Sequence, residues 1–284
     1  MRTKVLVFTL MALATAVKVY GSEFGQNTPS VTVVRTAHHR LESAKVGDAF
    51  IIHVRLPESY SYSEKSFPVL YVLDGDKCFG LAADTADWLA WAKEAPEIIV
   101  VGIAYDQSLD DWWQKRSRDF TPTKDASKLW GEWPLAGEAT KFQDFLAEEL
   151  FPFIEGHYRA LPDDRAVAGI SLGGLFGAFS LFTRPSLFQR YILISPAFVW
   201  DNKRLWQYEA RYKVRSNMLS ATVFSAVGDA DEPAILMPWA EFGRLVEGRG
   251  YSGLRWITQM FPSESHISVL PGALSRGIRS IYGK

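Results

Sequence analysis

The stretch Arg165-Ala166-Val167-Ala168-Gly169-Ile170-Ser171-Leu172-Gly173-Gly174 decides how this chain folds. A short apolar run suited to a strand ends in Gly-Ile-Ser-Leu-Gly, and residues 172–182 continue with the apolar character of a buried helix. That combination is a nucleophile elbow, a sharp strand-to-helix turn in which flanking glycines, lacking Cβ, let the backbone fold back and leave the serine hydroxyl exposed. Ser171 is thereby the candidate nucleophile. A bare Gly-x-Ser-x-Gly also arises by chance in glycine-rich loops, so the context on both sides carries the weight.

Outward from the elbow, apolar β-rich runs recur at residues 31–34, 49–56, 67–73, 98–104, 166–170, 191–194, 222–227 and 254–260. Helix-like stretches lie at 82–93, 138–155, 172–182, 234–247 and 272–282. Strands alternating with helices predict an α/β fold with a mostly parallel central sheet and helices on both faces. The early runs have no helices between them and are expected to pair antiparallel.

The chain has 284 residues, of which 48% are hydrophobic, enough for the core of one large domain. Its formal net charge of -1 leaves no basic footprint, which argues against a nucleic-acid partner. Arg2 and Lys4 precede the apolar run 5–17, a charge and length pattern that fits a secretory signal better than a bilayer span. Cleavage is expected near residue 16 or 21, so residues 1–21 are assigned as signal and 22–284 as a single domain. An uncleaved anchor is the competing reading. The mature protein would be secreted or periplasmic, with no membrane span, and its lone Cys78 excludes an internal disulfide.

A nucleophilic serine needs a general base. In hydrolases built on this elbow the order along the chain is Ser, acid, His. Of the histidines at 38, 39, 53, 157 and 266, only His266 follows Ser171, in a loop after the last apolar run. Neutral imidazole can take the hydroxyl proton during attack and return it to the leaving group. His157 reads as a helix-end residue. The histidines show no metal-ligand spacing, so neither metal nor other cofactor is expected.

The acid is sought after the run 222–227, in Gly228-Asp229-Ala230-Asp231-Glu232. A carboxylate on the far ring nitrogen would fix the tautomer and stabilise the imidazolium. Asp231 is preferred because Gly228 can redirect the chain and project the third residue beyond it toward the sheet end. Asp229 and Glu232 stay open, and a polar turn or helix N-cap accounts for the residues not used. For the oxyanion, one donor is the N–H of Leu172 at the start of a helix, and the N–H of Asp76, after Leu73-Asp74-Gly75, is the natural second. Asp74 is expected to brace that loop.

Residues 105–137 hold Trp112, Trp113, Arg116, Arg118, Trp130 and Trp133 with no clear period. A segment this long without structure reads equally as a substrate-side loop or as a surface loop with its own aromatic cluster. Trp112, Trp113, Arg116 and Arg118 are the candidate substrate contacts, suited to an acidic aromatic ester through stacking and guanidinium pairing. A salt bridge between Arg118 and Asp119 that merely holds the loop is the alternative.

Taken in order, Leu73-Asp74-Gly75-Asp76, Arg116-Ser117-Arg118-Asp119-Phe120-Thr121-Pro122, Tyr158-Arg159, Gly-Ile-Ser-Leu-Gly-Gly and residues 263–266 leading into 269–276 resemble the esterase D family of α/β-hydrolases. The resemblance covers nearly the whole mature chain and is closest to the siderophore-esterase-like branch. It implies an α/β-hydrolase fold and acyl transfer from a small-molecule ester or thioester through a serine acyl-enzyme. An acyltransferase with a sugar or lipid acceptor, or a non-catalytic binding protein on the same scaffold, are the rival classes.

Overall fold

A computed structural model describes residues 33–105 and 109–283. The expected signal segment, and residues 31–32 of the first expected strand, lie outside the described residues. In chain order the elements are β1 (Thr36–Ser43), β2 (Asp48–Arg55), β3 (Phe67–Val72), α1 (Gly75–Trp91), β4 (Ile99–Tyr105), α2 (Leu109–Phe120), α3 (Ala139–Phe145) and α4 (Phe151–His157). There follow β5 (Ala160–Ile170), α5 (Leu172–Thr183), β6 (Arg190–Ile194), α6 (Trp200–Lys203), α7 (Leu205–Arg215), β7 (Met218–Gly228), α8 (Pro233–Arg249), β8 (Ser252–Phe261) and α9 (Val269–Tyr282). The strands form one eight-stranded sheet in the order β1-β2-β4-β3-β5-β6-β7-β8. β1, β2 and β4 pair antiparallel; from β4 through β8 every pairing is parallel, the α/β-hydrolase arrangement.

Period-two alternation along the inner strands feeds two cores, one on each face of the sheet. From β3, Val69 and Tyr71 enter the larger core while Leu70 and Val72 enter the smaller; β4 divides the same way at Val101 and Val100. The larger core is closed by α3, α4, α5 and α8, and the smaller by α1 and α9. Strands buried on both faces read as unbroken apolar runs, which is why β3 through β7 were legible.

Three regions depart from the expectation. The segment 105–137, expected to be without structure, contains α2. Its inward residues include Arg116, Ser117 and Asp119, all buried, so polar side chains occupy positions where a helical period would show apolar ones. Helix α7 escapes a sequence reading for the same reason, while α6 is four residues long with left-handed φ at Asp201, Asn202 and Lys203 and so has no helical period to read. Glu209 in α7 is fully buried and is satisfied by Arg249 at 2.8 Å and the Tyr251 hydroxyl at 2.7 Å. The expected helix 138–155 is two helices joined by a π-helical turn, Leu146–Leu150, just before Pro152 at the start of α4.

Candidate active site

The elbow at the end of β5 is held by backbone contacts that only small residues allow. Ser171 has φ 58° and ψ −116°, a conformation that costs a residue with a side chain of the order of 1–3 kcal/mol. Its N–H donates to Ile194 O at 2.9 Å, and its carbonyl accepts from Leu175 N and Ala197 N, both at 3.0 Å, so strand and helix over-determine the turn. A Cβ on Gly169 would stand 2.5 Å from the carbonyl carbon of Gly173, which leaves glycine as the residue that fits. The side chain of Ser171 faces a cavity of about 480 Å³ at the carboxyl ends of the strands. Open α/β sheets bind ligands at that edge.

His266 lines the same cavity. Its Nδ1 lies 3.0 and 3.1 Å from the two carboxylate oxygens of Asp231, and its Nε2 has no hydrogen bond with the described residues. The Asp231 carboxylate is fully buried. Burial alone would raise its pKa, but the hydrogen bond from His266, the nearby Ser195 hydroxyl and the Glu232 N–H together hold it below the ordinary carboxylate range. The Ser195 hydroxyl itself forms no hydrogen bond of ordinary geometry, so His266 and the Glu232 N–H at 2.8 Å are the firm partners.

The three acidic residues after β7 have separate tasks. Asp229 accepts the Ser263 N–H at 2.7 Å and so braces the loop that carries His266. Asp231 faces the imidazole. Glu232 begins α8, where its main-chain carbonyl accepts from Ile235 N and Leu236 N, and its side chain lines the cavity. The two loops touch directly: Ala230 N donates to Glu264 O at 3.0 Å and Asp229 N to Phe261 O at 2.9 Å.

Leu172, the first residue of α5, also lines the cavity; its amide belongs to a helix's first turn, whose N–H groups have no partner within the helix. Asp76, the other expected oxyanion donor, lies in the first turn of α1 and is not among the residues on the cavity wall; its carboxylate accepts the Tyr105 N–H at 3.1–3.2 Å. Asp74, immediately before, is a left-handed residue that turns the chain out of β3. Arg116 holds both oxygens of Asp74 at 2.8 Å and reaches Ile170 O at 3.4 Å, tying the β3 turn to the elbow from behind. Asp74 thus braces its loop as expected.

The candidate substrate contacts separate. Trp113 and Arg116 line the cavity with Trp130, Trp133, Trp200, Ile235 and Glu232. Trp112 stacks edge-on against Trp113 at 4.7 Å, with Arg116 over its ring, and is not part of the wall. Arg118 is also outside it, held by Asp119 at 2.8 and 3.0 Å and by Asp48 at 2.9 Å. The salt bridge weighed as the alternative for Arg118 is therefore what forms, extended to β2. Trp200 and Ile235 were not singled out from sequence. The signal available for both was position, since each follows the carboxyl end of a sheet strand.

The family model described as "Putative esterase" matches residues 43–235, a span that holds Ser171 and Asp231 and ends before His266. Ferri-bacillibactin esterase BesA of Bacillus subtilis is 28% identical over 268 residues, covering 90% of this chain and 92% of its own. The siderophore triacetylfusarinine C esterase of Aspergillus fumigatus is 26% identical and covers 69% of this chain and 64% of its own. Among solved structures, the BES protein from Bacillus cereus superposes with a TM-score of 0.82 at 27% identity, covering 90% of this chain and 98% of that one.

Proposed function

This chain belongs to the Putative esterase family and is an ester hydrolase, and we propose that it works through an acyl-enzyme formed on Ser171. The observation that carries the reading is the buried Asp231 carboxylate 3.0 Å from His266, whose imidazole lines the same cavity as Ser171. The Asp231 carboxylate accepts a hydrogen bond from Nδ1–H, which keeps the proton on that nitrogen and leaves the lone pair on Nε2 for the serine hydroxyl.

In the first half-reaction, Ser171 Oγ attacks the ester carbonyl carbon as His266 Nε2 takes its proton. The oxyanion of the tetrahedral intermediate accepts hydrogen bonds from the N–H of Leu172 and of Asp76, and the positive end of α5 adds to its stabilisation. The intermediate collapses, the C–O bond to the alcohol breaks, and His266 returns the proton to the departing oxygen. Water then attacks the acyl-enzyme, giving its proton to His266. Breakdown releases the carboxylic acid and restores the serine hydroxyl.

Several relatives are siderophore esterases by name, and the tryptophans on the cavity suit flat aryl groups. On that ground the proposed substrate class is a siderophore-type or other aryl-bearing ester. Labelling by a fluorophosphonate, together with hydrolysis of an aryl ester, tests the mechanism. Wild-type protein is expected to label and turn over, and Ser171→Ala to do neither while keeping its circular dichroism spectrum. A Ser171→Ala protein with full esterase activity sinks the assignment.

A further inference from the structure

We propose that the cavity above Ser171 selects esters by charge, accepting neutral and positively charged groups and turning away anionic ones, with Glu232 setting the preference. The inference rests on the ester-hydrolase reading and adds to it the charge class of the substrate.

Arg116 is the only lysine or arginine among the described residues on the cavity wall. Its guanidinium is already bound through two N–H groups to the buried Asp74 carboxylate, so the pair presents no net charge to a ligand. Arg118 is paired with Asp119 and Asp48 and lies off the wall. The acidic aromatic ester that these two arginines suggest in the sequence therefore meets no free cation there.

Glu232 is the opposite case. It is exposed on the wall, and its carboxylate makes no hydrogen bond or ion pair with the described residues. Helix α8 is capped by the main-chain oxygen of Glu232, so the side chain has no structural duty at that terminus. The indoles of Trp130, Trp133 and Trp200 share the wall with Trp113, whose ring already carries the Arg116 guanidinium 5.3 Å from its centroid, so the first three are the rings left for a ligand. Aromatic faces carry the negative lobe of the ring quadrupole and attract cations, as in the cages that hold quaternary ammonium groups. A bound anion would meet an unpaired carboxylate and electron-rich rings; a bound cation would be attracted by both.

The test uses three para-nitrophenyl esters of matched acyl length, ending in a methyl, a carboxylate or a trimethylammonium group. Each kcat/KM is divided by the ester's rate constant with hydroxide, which removes intrinsic reactivity. The cationic ester is expected to exceed the anionic one by about tenfold or more at low ionic strength. High salt should shrink that ratio, Glu232→Gln should bring it toward one, and Glu232→Lys should invert it. Binding read by tryptophan fluorescence, with phenyltrimethylammonium against benzoate, follows the same preference without turnover. Equal handling of cation and anion in both assays, or a ratio that Glu232→Gln leaves unchanged, overturns the proposal. Fluorescence that shows the cation preference while all three esters go uncleaved supports the charge selection and counts against the hydrolase reading, so the two failures are separable.

Discussion

Gly228 and Glu264 approach so closely that a Cβ on the glycine would stand 1.9 Å from the glutamate's carbonyl oxygen. This contact docks the loop that carries Asp231 onto the loop that carries His266, and no rearrangement of a flexible side chain can relieve a clash between backbones. Gly228→Ala should therefore lower kcat/KM at least about tenfold and destabilise by about 1–3 kcal/mol through overpacking. Urea unfolding alongside ester hydrolysis checks both. A variant with wild-type values would mean the two loops are not held in register by this approach.

Ser171 has a strained backbone and lines the cavity. Glycine tolerates φ 58°, ψ −116° where serine and alanine do not. Ser171→Gly is expected to be inactive yet about 1 kcal/mol more stable than wild type, because relief of strain exceeds the added entropy of the unfolded chain. Ser171→Ala should be inactive without that gain. Thermal melts of the two variants side by side decide the matter.

Among the three acidic residues of the β7–α8 loop, Asp231→Asn is expected to cost about 10⁴-fold in kcat, by analogy with loss of the acid in other triads. Asp229→Asn should cost about 1 kcal/mol of stability through a weakened bond to Ser263 N–H, with far less effect on turnover. Comparable losses of activity at the two positions would contradict the division of roles.

The same carboxylate gives a pH dependence of stability. Because the folded-state pKa of Asp231 is depressed, its stabilising contribution is complete above the unfolded carboxylate value of about 3.9 and is lost as pH falls through the lower folded value. Asp231→Asn should flatten the acid side of a plot of unfolding free energy against pH. Parallel curves for variant and wild type would remove this residue from the linkage.

Arg116 and Asp74 form a buried pair, and removing one partner strands the other charge. Arg116→Met is expected to destabilise by about 3–5 kcal/mol, and Asp74→Asn in that background to restore part of it. Denaturant unfolding of the single and double variants measures the coupling. Additive losses would show that the pair does not act as a unit.

Much of the sheet was readable because β3 to β7 are buried on both faces and leave continuous apolar runs. The serine was readable from its glycines and the histidine from chain order. Helices α2 and α7 were hidden because each buries charge, Arg116 and Asp119 in one and Glu209 in the other, where a helical period calls for apolar side chains. No local pattern announces that Asp74 or Arg249 waits elsewhere in the chain to satisfy them.

Residues 169–173, read with the apolar runs on either side, predict the tight strand-to-helix turn, since backbone sterics at Gly169 and Ser171 are a matter of a few neighbouring atoms. The folded chain alone decided which acid meets His266, which carboxylates pair with Arg116 and Arg118, and which tryptophans form one wall. Those outcomes depend on distances between segments far apart in sequence, and such distances exist only after the sheet has brought its strand ends together.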